Sequence, residues 1–431
     1  MARQSSAGAQ TRLRRQVLRL QSLIQATEHL NSALELDRLL KVVLQLCTSN
    51  LQASRGTMYL VDEPRGELWS KVVKGKELVE IRLPIGTGIA GYVAQSGETV
   101  NLKDAWKDER FFSGFDLRSG FQTKTMLCTP MRNRKGKTIG VLQVINKKRG
   151  AFDREDELFL EAFSDHAALA VENAFLHKAL LEKEMVEREL VIAAEIQQGL
   201  LPKPLPHLPG YDIDAVTVPC QTIGGDCYDA IPLVDGKVLL SVADVSGKGI
   251  PAALLVSTLH ASLHAYVRSG LELVPLVRQL NTTVFNDTAP ERYITFFACL
   301  LDPVAHTLTY VNAGHNPPYH VSSVNRSLSM LRTGGVPLGM FDASDYQAGT
   351  LRLSPGDILV LYSDGVTEAM TSAGDEYGES RLQKSVVASL SLDARELLKH
   401  ITDDVRTFVT GHPLSDDLTA VVLKRVAGAP V

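Results

Sequence analysis

The chain has 431 residues, 45% hydrophobic and 22% charged, the balance of a folded protein of two or three domains rather than a disordered one. A formal net charge of −4 leaves no electrostatic footprint for nucleic acid, and no apolar run approaches the roughly 18 residues of a membrane span. Cys47, Cys128, Cys220, Cys227 and Cys299 are scattered, odd in number and lack a Cys-x-x-Cys pair, which argues against a zinc site or disulfide framework and suits a reducing cytoplasm. The start, MARQSSAGAQTRLRR, is basic without an apolar segment, so no secretion signal is expected.

Residues 12 to about 47 read as helical: Leu13, Val17, Leu20, Ile24 and Leu30 share a face, and Leu39, Leu40, Val43 and Leu46 continue it. Strand patterns follow around Pro64-Arg65-Gly66, then a short glycine-bracketed helix in GTGIAGYVAQSG. Two further strands are joined by the Lys135-Gly136 turn. From Asp153 to Leu201 the only helix breaker is Gly199, so one long helix is expected. Leu176, Ala179, Lys183, Val186, Leu190, Ala193, Gln197 and Leu200 step by threes and fours, the seam of a parallel coiled-coil homodimer or one face of a solvated connector. The prolines of LPKPLPHLPG end the helix. Beyond them KVLLSVAD, YITFFACLLD, TLTYVNAG, GDILVLYSD and LTAVVLKRV read as strands. Helical patterns lie at Pro251–Val267, Leu271–Phe285 and Leu392–Phe408, an order that favours antiparallel sheets covered by helices.

Four acidic motifs in this second half place carboxylates where strand meets loop: Asp226 and Asp229 in GGDCYD, Asp244 in VADVSG, Asp364 in LYSDG, Asp416 and Asp417 in SDDLTAVV. Aspartate is a poor strand former and costly to bury unpaired, so aspartates gathered this way call for a shared cation. Hard divalent ions such as Mg²⁺ or Mn²⁺ take such oxygen ligands, and a pair about 3.5–4 Å apart can activate water and clamp a phosphoryl group. The competing cue is Ser246-Gly247-Lys248-Gly249 before a helix, a cradle for a nucleotide phosphate, but it lacks P-loop spacing. His260 and His264 are four apart on a predicted helix. Ala261 stands where a zinc protease carries glutamate, so they read as packed or half-exposed helix residues. His315, in NAGHNPP, is open between a site acid or phosphate contact and a structural turn.

AAEIQQGLLP, IGGDCYD, ADVSGKGIPAALL, YITFFACLLD, NAGHNPP, GGVPLGM, GDILVLYSDGVTEA, EYG and DDLTAVVL occur in that order. Together they resemble the SpoIIE-like bacterial branch of the PPM (protein phosphatase 2C-like) serine/threonine phosphatases. The resemblance implies an α-β-β-α sandwich holding two Mn²⁺ or Mg²⁺ ions. It implies that Asp244 bridges them, the Val245 carbonyl and Asp226 serve one, and Asp364 and Asp416 serve the other, with Asp417 the ambiguous neighbour. No arginine equivalent to the phosphate contact of the eukaryotic relatives is assigned. Upstream, GIAGYVAQSGETVNLKDAWKDERF and VLQVINKKRGAFDREDELFLEAFSDHAALAVENA resemble a GAF sensor domain. Asn146, Lys147, Phe152, Asp156 and Glu157 match the motif of the cyclic-nucleotide phosphodiesterase type. That resemblance implies either a small ligand such as a cyclic nucleotide or a dimerising domain without one. Lys147 and Asp156 are placed to pair across the turn, and Cys128, followed by Thr129 rather than His, reads as a core cysteine and not a bilin anchor.

The expected architecture is thus α+β: a helical segment at 1–29, a GAF α/β domain at 30–172, a linker helix at 173–201 and a PPM-type domain at 202–431. The expected function is a cytoplasmic, signal-regulated phosphatase acting on a phosphoprotein, by resemblance an anti-sigma-factor antagonist of the STAS class. The alternatives are a silent pseudophosphatase that docks a phosphoprotein and a nucleotide-using enzyme.

Overall fold

The computed structural model describes residues 36–74, 77–119, 121–289 and 291–426. The helical segment expected at 1–29 lies outside them. The chain divides into two compact units, Met1–Glu184 and Met185–Val431.

In the first unit, helix α1 (Leu36–Asn50) leads into strands β1 (Ala53–Asp62), β2 (Glu67–Lys74) and β3 (Glu77–Pro84). Helix α2 (Gly88–Ser96), strand β4 (Val100–Leu102), helix α3 (Gly114–Ser119) and strands β5 (Met126–Arg132) and β6 (Thr138–Lys147) follow. The six strands form one antiparallel sheet in the order β3-β2-β1-β6-β5-β4. Helix α4 (Arg154–Gln198) is 45 residues long, as a stretch without Gly or Pro allows. Its first half buries Phe159, Leu160, Phe163 and Ala167 with Leu39 and Val43 of α1 against Leu127, Leu142 and Val144 of the sheet. Ile89 and Val93 of α2 cover the other face, where Cys128 is fully buried.

The five motif residues at the β6–α4 corner all make contacts inside this unit. Lys147 pairs with the fully buried Asp156 and lies 3.6 Å from Asp153. Asn146 takes positive φ while its side chain binds Gln122, Lys124 and Thr125. Phe152 is buried, and Glu157 accepts a 2.6 Å bond from Asn101. The motif thus clamps helix to sheet, a role that needs no ligand. Asp156→Ala should leave Lys147 without its buried partner and destabilise this unit by about 3 kcal/mol. Both tryptophans, Trp69 and Trp106, lie here, so tryptophan fluorescence during urea unfolding reads the loss selectively.

The second unit contains β7 (Tyr211–Val218), β8 (Asp226–Pro232), β9 (Val238–Val245), α5 (Ile250–Arg268), α6 (Leu273–Asp287), β10 (Ile294–Asp302) and β11 (Thr307–Ala313). After these come β12 (Tyr319–Val321), β13 (Leu328–Met330), β14 (Gly334–Gly335), β15 (Gly349–Arg352), β16 (Ile358–Tyr362), α7 (Asp364–Thr367), α8 (Glu379–Ala388), α9 (Ala394–Val409) and β17 (Leu418–Arg425). One sheet runs β14-β11-β10-β9-β8 with β15 also on β11; the other runs β13-β12-β16-β17-β7. Alternation along each strand builds three apolar layers. Val242, Phe297 and Leu308 meet Leu359, Leu361 and Val421 between the sheets. Helices α5 and α6 pack Val256, Leu259 and Leu280 on the outside of the first sheet. Helices α8 and α9 pack Leu382, Leu397 and Ile401 on the outside of the second. The result is the expected α-β-β-α sandwich. By length and composition α5 could cross a membrane, but its Ala252, Val256, Leu259 and Leu263 are buried on the sheet, which accounts for its apolar character.

Candidate active site

Strand pairing brings the acidic motifs together. Asp226 opens β8 and Asp244 nearly closes β9, and the antiparallel register sets them directly opposite each other. On its other side Asp244 faces Thr295 of β10. From the second sheet, Asp364 follows β16 while Asp416 and Asp417 precede β17, and these two strands are also neighbours. A glycine must follow Asp364: a β-carbon at Gly365 would stand 2.1 Å from the Asp417 carbonyl oxygen. At the end of β9 the Val245 carbonyl faces Gly225, where a β-carbon would come within 3.2 Å of it.

This concentration of negative charge is electrostatically unfavourable by itself. Asp226 is buried, and its Oδ2 has no hydrogen-bond partner. Burial, then the facing charge of Asp244, drives its pKa well above the carboxylate range. Asp244 is pushed up to about 7 by burial and then by Asp364, Asp416 and Asp417. Asp364 rises to about 6 through burial and the charges of Glu368 and Asp416. Like charges directly opposite on a sheet repel, and a buried carboxylate oxygen without a donor costs several kcal/mol, of order 2–5. An all-oxygen set of this kind fits a hard divalent cation, which would give the Asp226 oxygen its missing partner.

Asp417 departs from the rest. Its two oxygens accept backbone N–H bonds from Cys220 (2.7 Å), Gly225 (2.6 Å) and Asp226 (3.3 Å). A β-carbon on Gly224 would stand 2.7 Å from its Oδ2. The carboxylate therefore shapes the 220–226 loop and positions Asp226, while its charge still acts on Asp244 and one of its oxygens lies within 4.8 Å of ligand atoms of Asp416 and Cys220. Asp416 is paired with Lys248, 2.8 Å away, and raises the lysine's pKa; the ammonium also bonds the Ser415 carbonyl. The lysine of the glycine-rich turn thus meets a carboxylate of the acidic cluster.

His315 does not reach the site as an acid. It is buried, held neutral with a pKa near 4 by that burial, and its Nδ1 lies 2.9 Å from Thr295 Oγ1. Its backbone N–H and carbonyl bond the Asn312 side chain, which holds the turn, while its Nε2 is buried without a hydrogen-bond partner. Asp229 is not part of the cluster either. Three residues beyond Asp226 on a strand, it points to the opposite sheet face, toward α5 and His264. Gln197, expected in a coiled-coil seam, instead bonds the Gly224 carbonyl (2.7 Å) and accepts from its N–H (3.2 Å). The end of α4 therefore packs on its own catalytic unit.

Two neighbours escaped the sequence reading. Glu368, on the turn after α7, adds negative charge at Asp364 and Asp244. Arg292 brings its Nη1 within 3.4 Å of where a β-carbon on Gly247 would stand, at the turn three residues beyond Asp244. Nothing local in ERYITFF marks that arginine; only the pairing of β9 with β10 carries it there.

The family model for Stage II sporulation protein E (SpoIIE) matches residues 234–426, and the GAF-domain model matches 35–171. The phosphoserine phosphatase RsbU of Bacillus subtilis is 32% identical over 243 residues, covering 56% of this chain and 72% of RsbU. A probable 3′,5′-cyclic phosphodiesterase of Caenorhabditis elegans is 33% identical over 165 residues, covering 36% of this chain but only 22% of that protein. Among solved structures, the SiaA-PP2C domain of Pseudomonas aeruginosa covers 56% of this chain and 98% of its own, at 18% identity and a TM-score of 0.50, a likeness of fold. The fold is that of a PPM-type serine/threonine phosphatase domain joined to a GAF domain. The chain belongs to the SpoIIE-like family of these phosphatases.

Proposed function

We propose that the chain is a signal-regulated, metal-dependent phosphatase that removes phosphate from phosphoserine or phosphothreonine of a partner protein. The observation that carries this reading is the buried Asp226–Asp244 pair, opposed across two strands, with one oxygen lacking any partner and Asp364 and Asp416 arriving from the other sheet. Asp226, Asp244, the Val245 carbonyl, Asp364 and Asp416 would hold two divalent ions, Mn²⁺ or Mg²⁺. When bound, such ions supply an activated water and neutralise the charge of the phosphoryl group. The chain's own residues hold the geometry. Strand pairing fixes Asp226 against Asp244, Asp417 fixes the loop before Asp226, and Gly365 lets Asp364 close on Asp416. Purified protein stripped of metal should release no phosphate from a serine-phosphorylated protein, and Mn²⁺ should restore release. Asp364→Asn should remain inactive with Mn²⁺; activity equal to wild type would refute the reading, and metal binding without turnover on any phosphoprotein would favour the silent alternative.

Arg292 is the proposed phosphate contact, since its guanidinium stands at the Gly247 turn and its planar fork matches a phosphoryl group. Arg292→Ala should raise KM about tenfold or more with a smaller change in kcat, and Arg292→Lys should recover part of the loss, as steady-state kinetics on a phosphopeptide will report. The name of RsbU supports phosphoserine as the substrate, and the family resemblance points to an anti-sigma-factor antagonist of the STAS class as the partner.

The GAF domain is the proposed sensor, with α4 carrying its signal. Along α4, Phe175, Leu176, Leu180, Met185, Ile192 and Ile196 are exposed apolar residues. The proposed cover is the same helix of a second copy. Leu180→Glu with Met185→Glu should convert a dimer to a monomer in light scattering without changing the circular dichroism spectrum.

A further inference from the structure

We propose that Asp229, His260 and His264 form a second metal site, distinct from the acidic cluster, that takes Zn²⁺. His260 and His264 are one turn apart on α5, with ring centroids 4.3 Å apart. Asp229 faces them from β8: its Oδ2 lies 2.7 Å from His264 Nε2 and 3.7 Å from His260 Nε2. One ligand atom from each of the three residues converges within 4.8 Å of the others. Zinc bound at about 2.0–2.1 Å by a tetrahedral set holds its ligand atoms about 3.3 Å apart, between the two separations observed here.

The carboxylate is already oriented. Its Oδ1 accepts the Ala230 N–H at 2.8 Å, leaving Oδ2 for the imidazoles, the kind of outer support that metal-binding carboxylates have. The imidazoles are reachable, with side chains 25% and 29% exposed, and His260 and Asp229 line a pocket with Gln197, Leu200 and Leu201 at the end of α4. Three protein ligands with a side open to the pocket leave one coordination position for water or an incoming ligand. Two imidazoles and one carboxylate suit Zn²⁺ far better than Mg²⁺ or Mn²⁺, so the two sites differ in the ion they select. The third ligand comes from a strand on another part of the chain, which is why the bare His-x-x-x-His spacing did not reveal it. An ion here would tie α5 to β8 three residues from Asp226.

The test is Zn²⁺ titration of the full chain by calorimetry in an Asp244→Asn background, which weakens the acidic cluster as a competitor. The tightest-bound equivalent should be weakened about 100-fold by His264→Ala and by His260→Ala. Unchanged affinity in both histidine variants, or no binding at all, would overturn the proposal. Wild-type protein gives a check free of folding effects: in long-range ¹H–¹⁵N spectra, Zn²⁺ should shift the Nε2 signals of two histidines. Imidazole signals unmoved by saturating Zn²⁺ would equally overturn it.

Discussion

Asp244→Asn should lower phosphate release by on the order of 10³-fold or more while leaving the metal-free protein at least as stable as wild type. The two halves of that result have one cause. Asp244 faces Asp226 across the strand pair and feels Asp364, Asp416 and Asp417, so its negative charge is unfavourable until a cation arrives. The amide keeps the size and removes the charge, relieving the repulsion and removing a carboxylate that would hold a cation. The sign of the pH dependence follows. The folded pKa of Asp244, about 7, lies above the unfolded value near 3.8, so the folded state binds more protons between these limits. Its contribution to stability is fully present below the unfolded pKa and is lost as pH rises through about 7. Metal-free wild type should therefore fall relative to Asp244→Asn from pH 4 to 7 in thermal melts, and Mn²⁺ should reverse the loss. Metal affinity should rise over the same window, because the ligands must shed their protons. A variant that melts well below wild type without metal at pH 8 would mean that Asp244 supports the fold rather than the cation.

Asp416→Ala and Asp417→Ala should both abolish activity, for different reasons. Asp416 is partly exposed and pairs with Lys248, so its loss should change stability by no more than about 0.5 kcal/mol. Asp417 is buried and accepts three backbone N–H groups of the 220–226 loop. Removing it strands those donors and should cost about 3 kcal/mol or more. Hydrogen exchange separates the two. Amides of Cys220, Gly225 and Asp226 should lose protection in Asp417→Ala and keep it in Asp416→Ala. Equal protection in both variants would remove the distinction between ligand and loop brace.

The aspartates were legible because carboxylates at the ends of apolar strands are costly and therefore informative. Helix α4 was legible from its lack of breakers, and the sandwich from its strand density. Strand β8 was not: Asp226 and Asp229 spoil the apolar run that marks a strand, so the pattern failed at the point where the site needs charge. Helix α8 was also missed, its Glu379–Ala388 segment carrying only Leu382, Ser385 and Val386 inward. The facing of Asp226 and Asp244 depends on register between β8 and β9, and the approach of Arg292 to Gly247 on the pairing of β9 with β10. Both are long-range consequences that no local spacing encodes. Asp416 and Asp417 could not be told apart as letters; three N–H bonds distinguish them. The Gln197 contact likewise turned a residue of the expected seam toward its own domain.

Anomalous diffraction from crystals of the full chain soaked in Mn²⁺ tests directly whether the acidic cluster is a two-cation site. Two peaks flanking Asp244, one toward Asp226 and the Val245 carbonyl and one toward Asp364 and Asp416, are the predicted result. Saturating Mn²⁺ that leaves the space between these carboxylates without a peak would contradict it.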